Sequence, residues 1–484
     1  MDNLALATIL VPIAGAVLTM FCPKKAGKWL GILFSALGTI GAGLVAYAFH
    51  TGGRVATTYK LLQLGDTVIF GFTIDAVSTL IGFAVVSLGF LVVVYSSVYL
   101  TNKHREHPHE ARPRYYAFLL VFIGAMAGLV YSSTLIGQLV FFEITGGCSW
   151  GLIGYYEDAK GMRGAMRALI ITHIASLGLY AAAAFLFCYT GTFSIDAIAQ
   201  LDPNIKTIVM LGILIAAWGK SAQFPMHIWL PDAMEAPTPI SAYLHAASMV
   251  KVGVFIFARA VMSSGGVPEV IAWVGVIMAM VTMIYGFFMY LPQKDMKRLL
   301  AYSTITQLAY MFLALSLGAF DFGSDGSKLA FNGGIAHVFN HAYAKSLFFL
   351  LAGVFSYSFG TRLLPNIRGL LKKAPLLGIS FCVGAMAIGG VPPFSLFFSK
   401  FAIFSGGFEL VREHIWLLPL LIIALIESVA AFAWFLMWFG KTVPGEPSPE
   451  VASAIPVPWA MQAVLVVLII MSVASSFIAA AWLG

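Results

Sequence analysis

Ile205-Lys206-Thr207-Ile208-Val209-Met210-Leu211-Gly212-Ile213-Leu214-Ile215-Ala216-Ala217-Trp218-Gly219-Lys220-Ser221-Ala222-Gln223-Phe224-Pro225 decides how this chain folds. No charge interrupts residues 207–219, and an apolar run of this kind reads as a membrane helix. The run then meets a lysine and, five positions on, a proline. Proline removes a backbone donor and crowds the preceding turn. In a membrane such a break is tolerated only where protein or water satisfies the freed groups. The stretch therefore predicts an interrupted membrane helix with an ionisable group beside the interruption.

Working outward, similar apolar segments recur at roughly 3–21, 28–49, 73–100, 115–133, 135–154, 164–189, 205–230, 238–262, 268–290, 297–318, 330–358, 375–403, 415–438 and 457–482. The prediction is an all-α integral membrane protein, residues 1–484 forming one polytopic domain of about fourteen transmembrane helices. Composition agrees: 60% of residues are hydrophobic and 10% charged, against about 25% charged in ordinary soluble domains. The net charge of +7 does not point to nucleic acid, because the basic excess falls in loops on one side. With the loop after the first span taken as cytoplasmic, that face holds eighteen basic residues and the other six. Lys24, Lys25 and Lys28 follow the first apolar segment rather than precede it, so it is not a secretory signal. An outside N-terminus and an even span count put both termini outside.

The four cysteines, Cys22, Cys148, Cys188 and Cys382, are too far apart in sequence for iron–sulfur or zinc ligation. There is no flavin, haem or nucleotide fingerprint, so no cofactor and no redox centre are expected in this chain.

Four lysines fall inside spans: Lys220, Lys251, Lys345 and Lys400. So do Glu143 and Glu427. A charge at mid-bilayer costs at least about 2.5–3.5 kcal/mol on insertion scales, so six must face one another or water. Helix-gluing ion pairs would explain one such pair. Six charges on different helices with histidines among them fit a proton or cation relay better.

The twelfth span carries a second interruption, Val391-Pro392-Pro393-Phe394. Two broken spans five apart, at Pro225 and at Pro392 and Pro393, predict an inverted repeat. Spans four to eight (residues 115–262) match spans nine to thirteen (268–438). In that register Lys220 corresponds to Lys400, and Lys251 to Glu427.

The eleventh span places His337, His341 and Lys345 on one helical face by their spacing of four. Histidine titrates near neutral pH and passes protons on. Two histidines four apart also suit a metal, but no glutamate accompanies them as in zinc proteases. His245 and Lys251 share the eighth span with Ser248 midway, where its hydroxyl would bridge them. His173 is a lone histidine on an apolar helix, where simple hydrogen bonding is a commoner role than proton transfer. Asp75 reads as a helix cap or interface residue, and Asp232 and Glu235 as solvated or interface groups in a Pro-rich loop.

The run from Lys220 through Pro225, His227, Pro231, Asp232, Glu235, Pro237, Pro239 and His245 to Lys251 resembles the antiporter-like subunits of respiratory complex I and of Mrp-type sodium/proton antiporters. Phe142-Glu143, the His337/His341/Lys345 helix and Pro392-Pro393-Phe394 through Lys400 carry the same resemblance. In detail, Phe142-Glu143-Ile144-Thr145-Gly146-Gly147-Cys148-Ser149-Trp150 and Ala387-Ile388-Gly389-Gly390-Val391-Pro392-Pro393-Phe394 are most similar to component D of hydrogenase-4, of formate hydrogenlyase-type membrane-bound hydrogenases. The resemblance implies a proton-translocating subunit of a redox-driven complex in a bacterial or archaeal cytoplasmic membrane. Its partners would be other membrane subunits, further antiporter-like ones included, and peripheral redox subunits holding iron–sulfur clusters and a nickel–iron centre. Glu143 and Lys220 would be a coupled pair. Lys251 with His245 would link the halves, His337, His341 and Lys345 would carry protons onward, and Lys400 would serve the exit. The alternatives are a subunit of an Mrp-type antiporter, one of complex I, and a non-conducting scaffold. The long lateral helix of the distal complex I subunit has no counterpart after the last span.

Overall fold

A computed structural model describes residues 1–484. The chain runs α1 (Asp2–Met20), α2 (Lys24–Thr51), the hairpin β1 (Thr57–Leu64) and β2 (Thr67–Ile74), then α3 (Ala76–Tyr99), α4 (Pro113–Tyr131), α5 (Leu135–Ile153) and α6 (Ala159–Thr190). It continues through α7 (Pro203–Lys220), the short α8 (Trp229–Asp232) and α9 (Thr238–Ala242), then α10 (Met249–Ser263), α11 (Glu269–Tyr290), α12 (Met296–Leu317) and α13 (Asp325–Val354). It ends with α14 (Leu370–Lys373), α15 (Pro375–Gly389), α16 (Ser395–Leu410), α17 (Leu417–Thr442), α18 (Pro449–Ala452) and α19 (Trp459–Leu483).

Helix ends follow local chemistry. Asp75 and Ser78 form a reciprocal capping box on α3, which satisfies two otherwise orphaned amides. Thr134, Asp158, Asp295 and Ser324 cap α5, α6, α12 and α13 through their side chains. Gly191 and Gly390, both at positive φ, close α6 and α15, where a side chain would be strained.

Twelve helices are long and apolar enough to cross a membrane, so the expected count of fourteen is not reached. The two remaining segments, 205–230 and 375–403, are divided into shorter helices. After α7 the chain turns through Ala222, at φ +49, and a 3-10 turn at Met226–Ile228. The freed groups find partners: Trp229 Nε1 donates to the Gly219 carbonyl (3.0 Å) and the Phe224 amide to Thr282 Oγ1 (3.2 Å). Between α15 and α16 the Val391 amide donates to the Met386 carbonyl (3.1 Å).

Lys220 lies before its interruption and Lys400 after its own. The two lysines thus lie on opposite sides of the breaks in their own segments.

The eighth span is irregular too. A π-helical turn at Tyr243–Ala247 ends at Ser248, whose φ/ψ of −117/−99 is not helical. The β1–β2 hairpin joins α2 to α3 and was not expected from the apolar pattern.

At the centre stand α10, α12 and α13. The apolar windows of the spans containing α10 and α13 are fully buried, and that of α12 is 94% buried. α13 packs on α3, α9, α12, α15, α16 and α19. That position explains how one helix can carry two histidines and a lysine: from Gly333 to Val354 every residue but Ala336 is buried.

Candidate functional site

The ionisable residues lie on a succession of neighbouring helices, and all but His245 and His341 are met by a polar group of another helix. At one edge, Glu143 of α5 bonds through Oε2 to Nδ1 of His173 on α6 (3.0 Å). The expected direct pair of Glu143 with Lys220 is not formed. Lys220 Nζ instead donates to the Phe142 carbonyl (2.9 Å) and sits 4.1 Å from the centroid of the Phe142 ring. The physical reason is local. The last turn of α5 before the glutamate offers an acceptor and a π-face, and the carboxylate turns outward to the imidazole of α6. His173, left undecided by the sequence, is thereby drawn into the site.

α7 is stitched to α10 immediately beside both lysines. Ser221 Oγ, one residue after Lys220, donates to the carbonyl of Val250, one residue before Lys251 (2.7 Å). The helices meet closely because Gly253 lies against the Ala217 carbonyl, where a Cβ would be 2.1 Å away. Lys251 then crosses to α13 and donates to the carbonyl of Val338, the residue after His337. Ser248 does not bridge His245 and Lys251. Its hydroxyl closes the π-turn by donating to the Tyr243 carbonyl (2.8 Å). The turn spoils the regular helical spacing that the bridge required. His245 is fully buried between Trp229 and Phe349, and neither ring nitrogen has a protein partner.

On α13, His337 sits between two neutral partners. Nδ1 pairs with Ser399 Oγ of α16 (2.9 Å) and Nε2 with Gln307 Oε1 of α12 (3.0 Å). His341 lies beside it, ring centroids 6.2 Å apart and the planes tilted by 32°, with both nitrogens unpartnered. Lys345 donates to Ser303 Oγ of α12 (2.8 Å). The expected shared face of His337, His341 and Lys345 is therefore turned to the interior, where all three are 0% exposed.

Lys400 of α16 donates to Ser428 Oγ (2.9 Å) and lies 4.6 Å from the Tyr310 ring centroid. Tyr310 Oη is 2.6 Å from both Glu427 Oε2 and the Ala424 carbonyl. Tyr290 Oη donates to Glu427 Oε1 (3.1 Å). The far edge is thus a carboxyl held by two phenols beside a lysine, much as the near edge is a carboxyl held by a histidine.

Several members of this array carried no signal in the sequence. Ser221, Ser303, Gln307, Tyr310, Ser399 and Ser428 are ordinary residues until the helices assemble. Lys297 stands between Lys294 and Arg298 in what reads as a basic loop. It is only 1% exposed and donates to the carbonyls of Met234 (2.5 Å) and Ala236 (2.7 Å). Arg259 is buried against Asp75, which accepts from both of its terminal nitrogens. Asp75 is at once the α3 cap and the partner of an arginine on α10. Asp232 pairs with Arg167 of α6.

Outside the spans, the loop after α3 is locked to the loop after α13. Arg362 bonds Glu106 (3.0 Å) and approaches Asp295 (3.6 Å). Burial pushes the Glu106 carboxyl up, but His107, Arg362 and the Ser356 hydroxyl outweigh it, and its pKa falls to about 2. Burial, with His107 adding to it, lowers the pKa of His104 to about 4. Its Nδ1 accepts from the amides of Glu106 (3.2 Å) and His107 (2.9 Å).

Residues 132–427 match the family model described as NADH:quinone oxidoreductase/Mrp antiporter, transmembrane. An NADH-quinone oxidoreductase subunit of Campylobacter jejuni is 34% identical over 464 residues, covering 94% of this chain and 74% of that protein. A Na(+)/H(+) antiporter subunit of Alkalihalophilus pseudofirmus is 35% identical over 418 residues. The match takes in 83% of this chain, which spans about half (51%) of that longer protein. Among solved structures, the fold is shared with a chain of the Mrp complex from Dietzia sp. (TM-score 0.85, 19% identity, 100% of this chain and 96% of that one). It is shared equally with a chain of the membrane-bound sulfane sulfur reductase, an archaeal respiratory membrane complex (TM-score 0.85, 23% identity, 99% and 95%). The chain is a multi-pass membrane protein and belongs to the family of antiporter-like subunits of NADH:quinone oxidoreductase and Mrp antiporter complexes.

Proposed function

We propose that this chain is the proton-translocating subunit of a redox-driven membrane complex of the nickel–iron hydrogenase (hydrogenase-4/formate hydrogenlyase) type. Protons move along Glu143, Lys220, His245, Lys251, His337, His341, Lys345, Lys400 and Glu427. The observation that carries the reading is the lateral continuity of the array. From α5 to α17 the amines, the carboxyls and His337 are each met by a carbonyl, hydroxyl, amide or imidazole of another helix, with His245 and His341 lying among them unpartnered. Ionisable chains of this kind are what proton relays in membranes require. Units 115–262 and 268–438 act as an inverted pair of half-channels, with both termini outside. Iron–sulfur and nickel–iron centres reside in partner subunits, and other membrane subunits flank this one.

The test is proton uptake by inverted vesicles bearing the assembled complex, with Lys251→Ala and Glu427→Gln. The expected result is proton uptake reduced several-fold while electron transfer continues. Undiminished uptake after replacement of all four buried lysines would leave only a scaffold. The second reading, in which the chain serves a cation/proton antiporter, is favoured by the similarity to the Na(+)/H(+) antiporter component of Alkalihalophilus pseudofirmus. Co-purification separates them: nickel and iron–sulfur proteins for the first, only small membrane proteins for the second. Reporter fusions at each end test the orientation.

A further inference from the structure

Between the start of α6, α8 and the start of α12 lies a cleft of about 230 Å³ walled entirely by polar residues and one glycine. Lys160, Arg163 and Arg167 come from α6, Asp232 and Glu235 from the segment after the α7 break, and Arg298 from α12. The elements can approach because Gly164 faces the Asp232 backbone, where a Cβ would be 2.5 Å from the carbonyl oxygen. Arg167 is neutralised by Asp232. Lys160, Arg163 and Arg298 form no ion pair, and the three surround the same small volume. Such a concave group of cations attracts an anion with several oxygens.

What lies beneath the cleft selects the kind of anion. α6 presents an exposed stripe that is basic at its start and mainly apolar below, with His173 the one titratable group between Ile170 and Leu177. Met162, Met166, Ile170, Ile174 and Leu177 are 37%, 43%, 50%, 59% and 57% exposed. At 1.5 Å per residue the apolar part from Met166 to Leu177 is about 16 Å long, the scale of an acyl chain in one leaflet of a ~30 Å hydrocarbon core. Cations at the helix end over a lipid-length apolar stripe match the form of an anionic phospholipid. Basic pockets between membrane helices are known to take such headgroups.

We propose that this cleft binds the phosphate of an anionic phospholipid, with its acyl chains along the Met166–Leu177 stripe of α6. A bound lipid bears on the segment after the α7 break, because Asp232 and Glu235 form one wall. The inference is independent of whether protons move through the chain.

The test uses the complex purified in detergent, delipidated and titrated with phosphatidylglycerol, phosphatidylcholine or inorganic phosphate. Bound lipid is read by mass spectrometry of the intact complex and by the thermal unfolding midpoint. The expected result is retention of phosphatidylglycerol over phosphatidylcholine. Arg163→Gln with Arg298→Gln should weaken retention about 25-fold, taking about fivefold for each surface cation. Arg112→Gln, outside the cleft, should change retention little. Equal retention of the two lipids, or an unchanged double variant, would overturn the proposal. So would inorganic phosphate alone reproducing the thermal shift, since that would make the cleft a site for a free ion. A photo-crosslinker at Met166 supplies an arm that does not depend on lipid affinity. Capture of lipid supports the proposal, and capture of a polypeptide replaces it with a protein interface.

Discussion

Asp75 and Arg259 offer the sharpest quantitative test of how the bundle is held. Asp75 caps α3 through the Ser78 amide (2.8 Å) and accepts both terminal nitrogens of Arg259 from α10. Arg259 is 4% exposed and Asp75 9%, so neither charge has water to fall back on. Asp75→Ala removes a helix cap, worth about 1 kcal/mol. It also strands a buried guanidinium, and breaking a buried pair on one side costs about 3–5 kcal/mol. The sum is about 4–6 kcal/mol. Asp75→Asn keeps the cap acceptor and should lose only the second part. Asp75→Asn with Arg259→Gln removes both charges and should regain most of that loss, because a neutral amide pair leaves no buried ion. Unfolding of the detergent-solubilised protein, followed by tryptophan fluorescence against denaturant, measures the cycle. The two single variants should be strongly non-additive, with the double variant more stable than Asp75→Asn alone. Additive losses, or an Asp75→Asn cost within about 0.5 kcal/mol, would refute the argument that the pair is desolvated. Lys251 lies eight residues before Arg259 on the same helix, about 12 Å along it. Loss of the clamp should therefore also lower any proton coupling that depends on Lys251.

Two further outcomes follow from groups in and beside the loops that join α3 to α4 and α11 to α12. The pKa of His104 is depressed from 6.5 to about 4 in the fold, so the unfolded chain takes up its proton first; stability is full above about pH 6.5 and falls as pH drops towards 4. Glu106, depressed from 4.5 to about 2, extends the acid loss below pH 4.5, and His104→Asn should flatten the first part of a thermal-midpoint profile while leaving the second; an unchanged profile counts against the assignment. Lys297→Met deprives the buried carbonyls of Met234 and Ala236 of their donor, at about 1–3 kcal/mol for each stranded group. Hydrogen exchange over residues 221–237 should then rise well above that of α13, and equal protection in variant and parent would show that the lysine does not fasten this segment.

The sequence by itself determined the membrane character, the order of the apolar segments and the positions of the two interruptions. It also singled out most of the ionisable residues held inside the spans, though not Lys297 or Arg259. Each is a property of a residue and its near neighbours. Burying a charge or interrupting a helix in lipid is costly enough that Lys220, Lys251, Lys345, Lys400, Glu143 and Glu427 stand out against their apolar surroundings. What only the tertiary structure decided is the partner of each. Glu143 meets His173 rather than Lys220. Lys220 and Lys251 donate to the carbonyls of Phe142 and Val338, and a π-turn removes Ser248 from its expected bridge. Lys297 looked like a loop cation yet is buried, because the segment after the α7 break folds back over the start of α12. Carbonyls, serines and tyrosines belong to every helix and cost little to place anywhere. Their roles therefore arise only when helices far apart in sequence are brought within hydrogen-bonding distance.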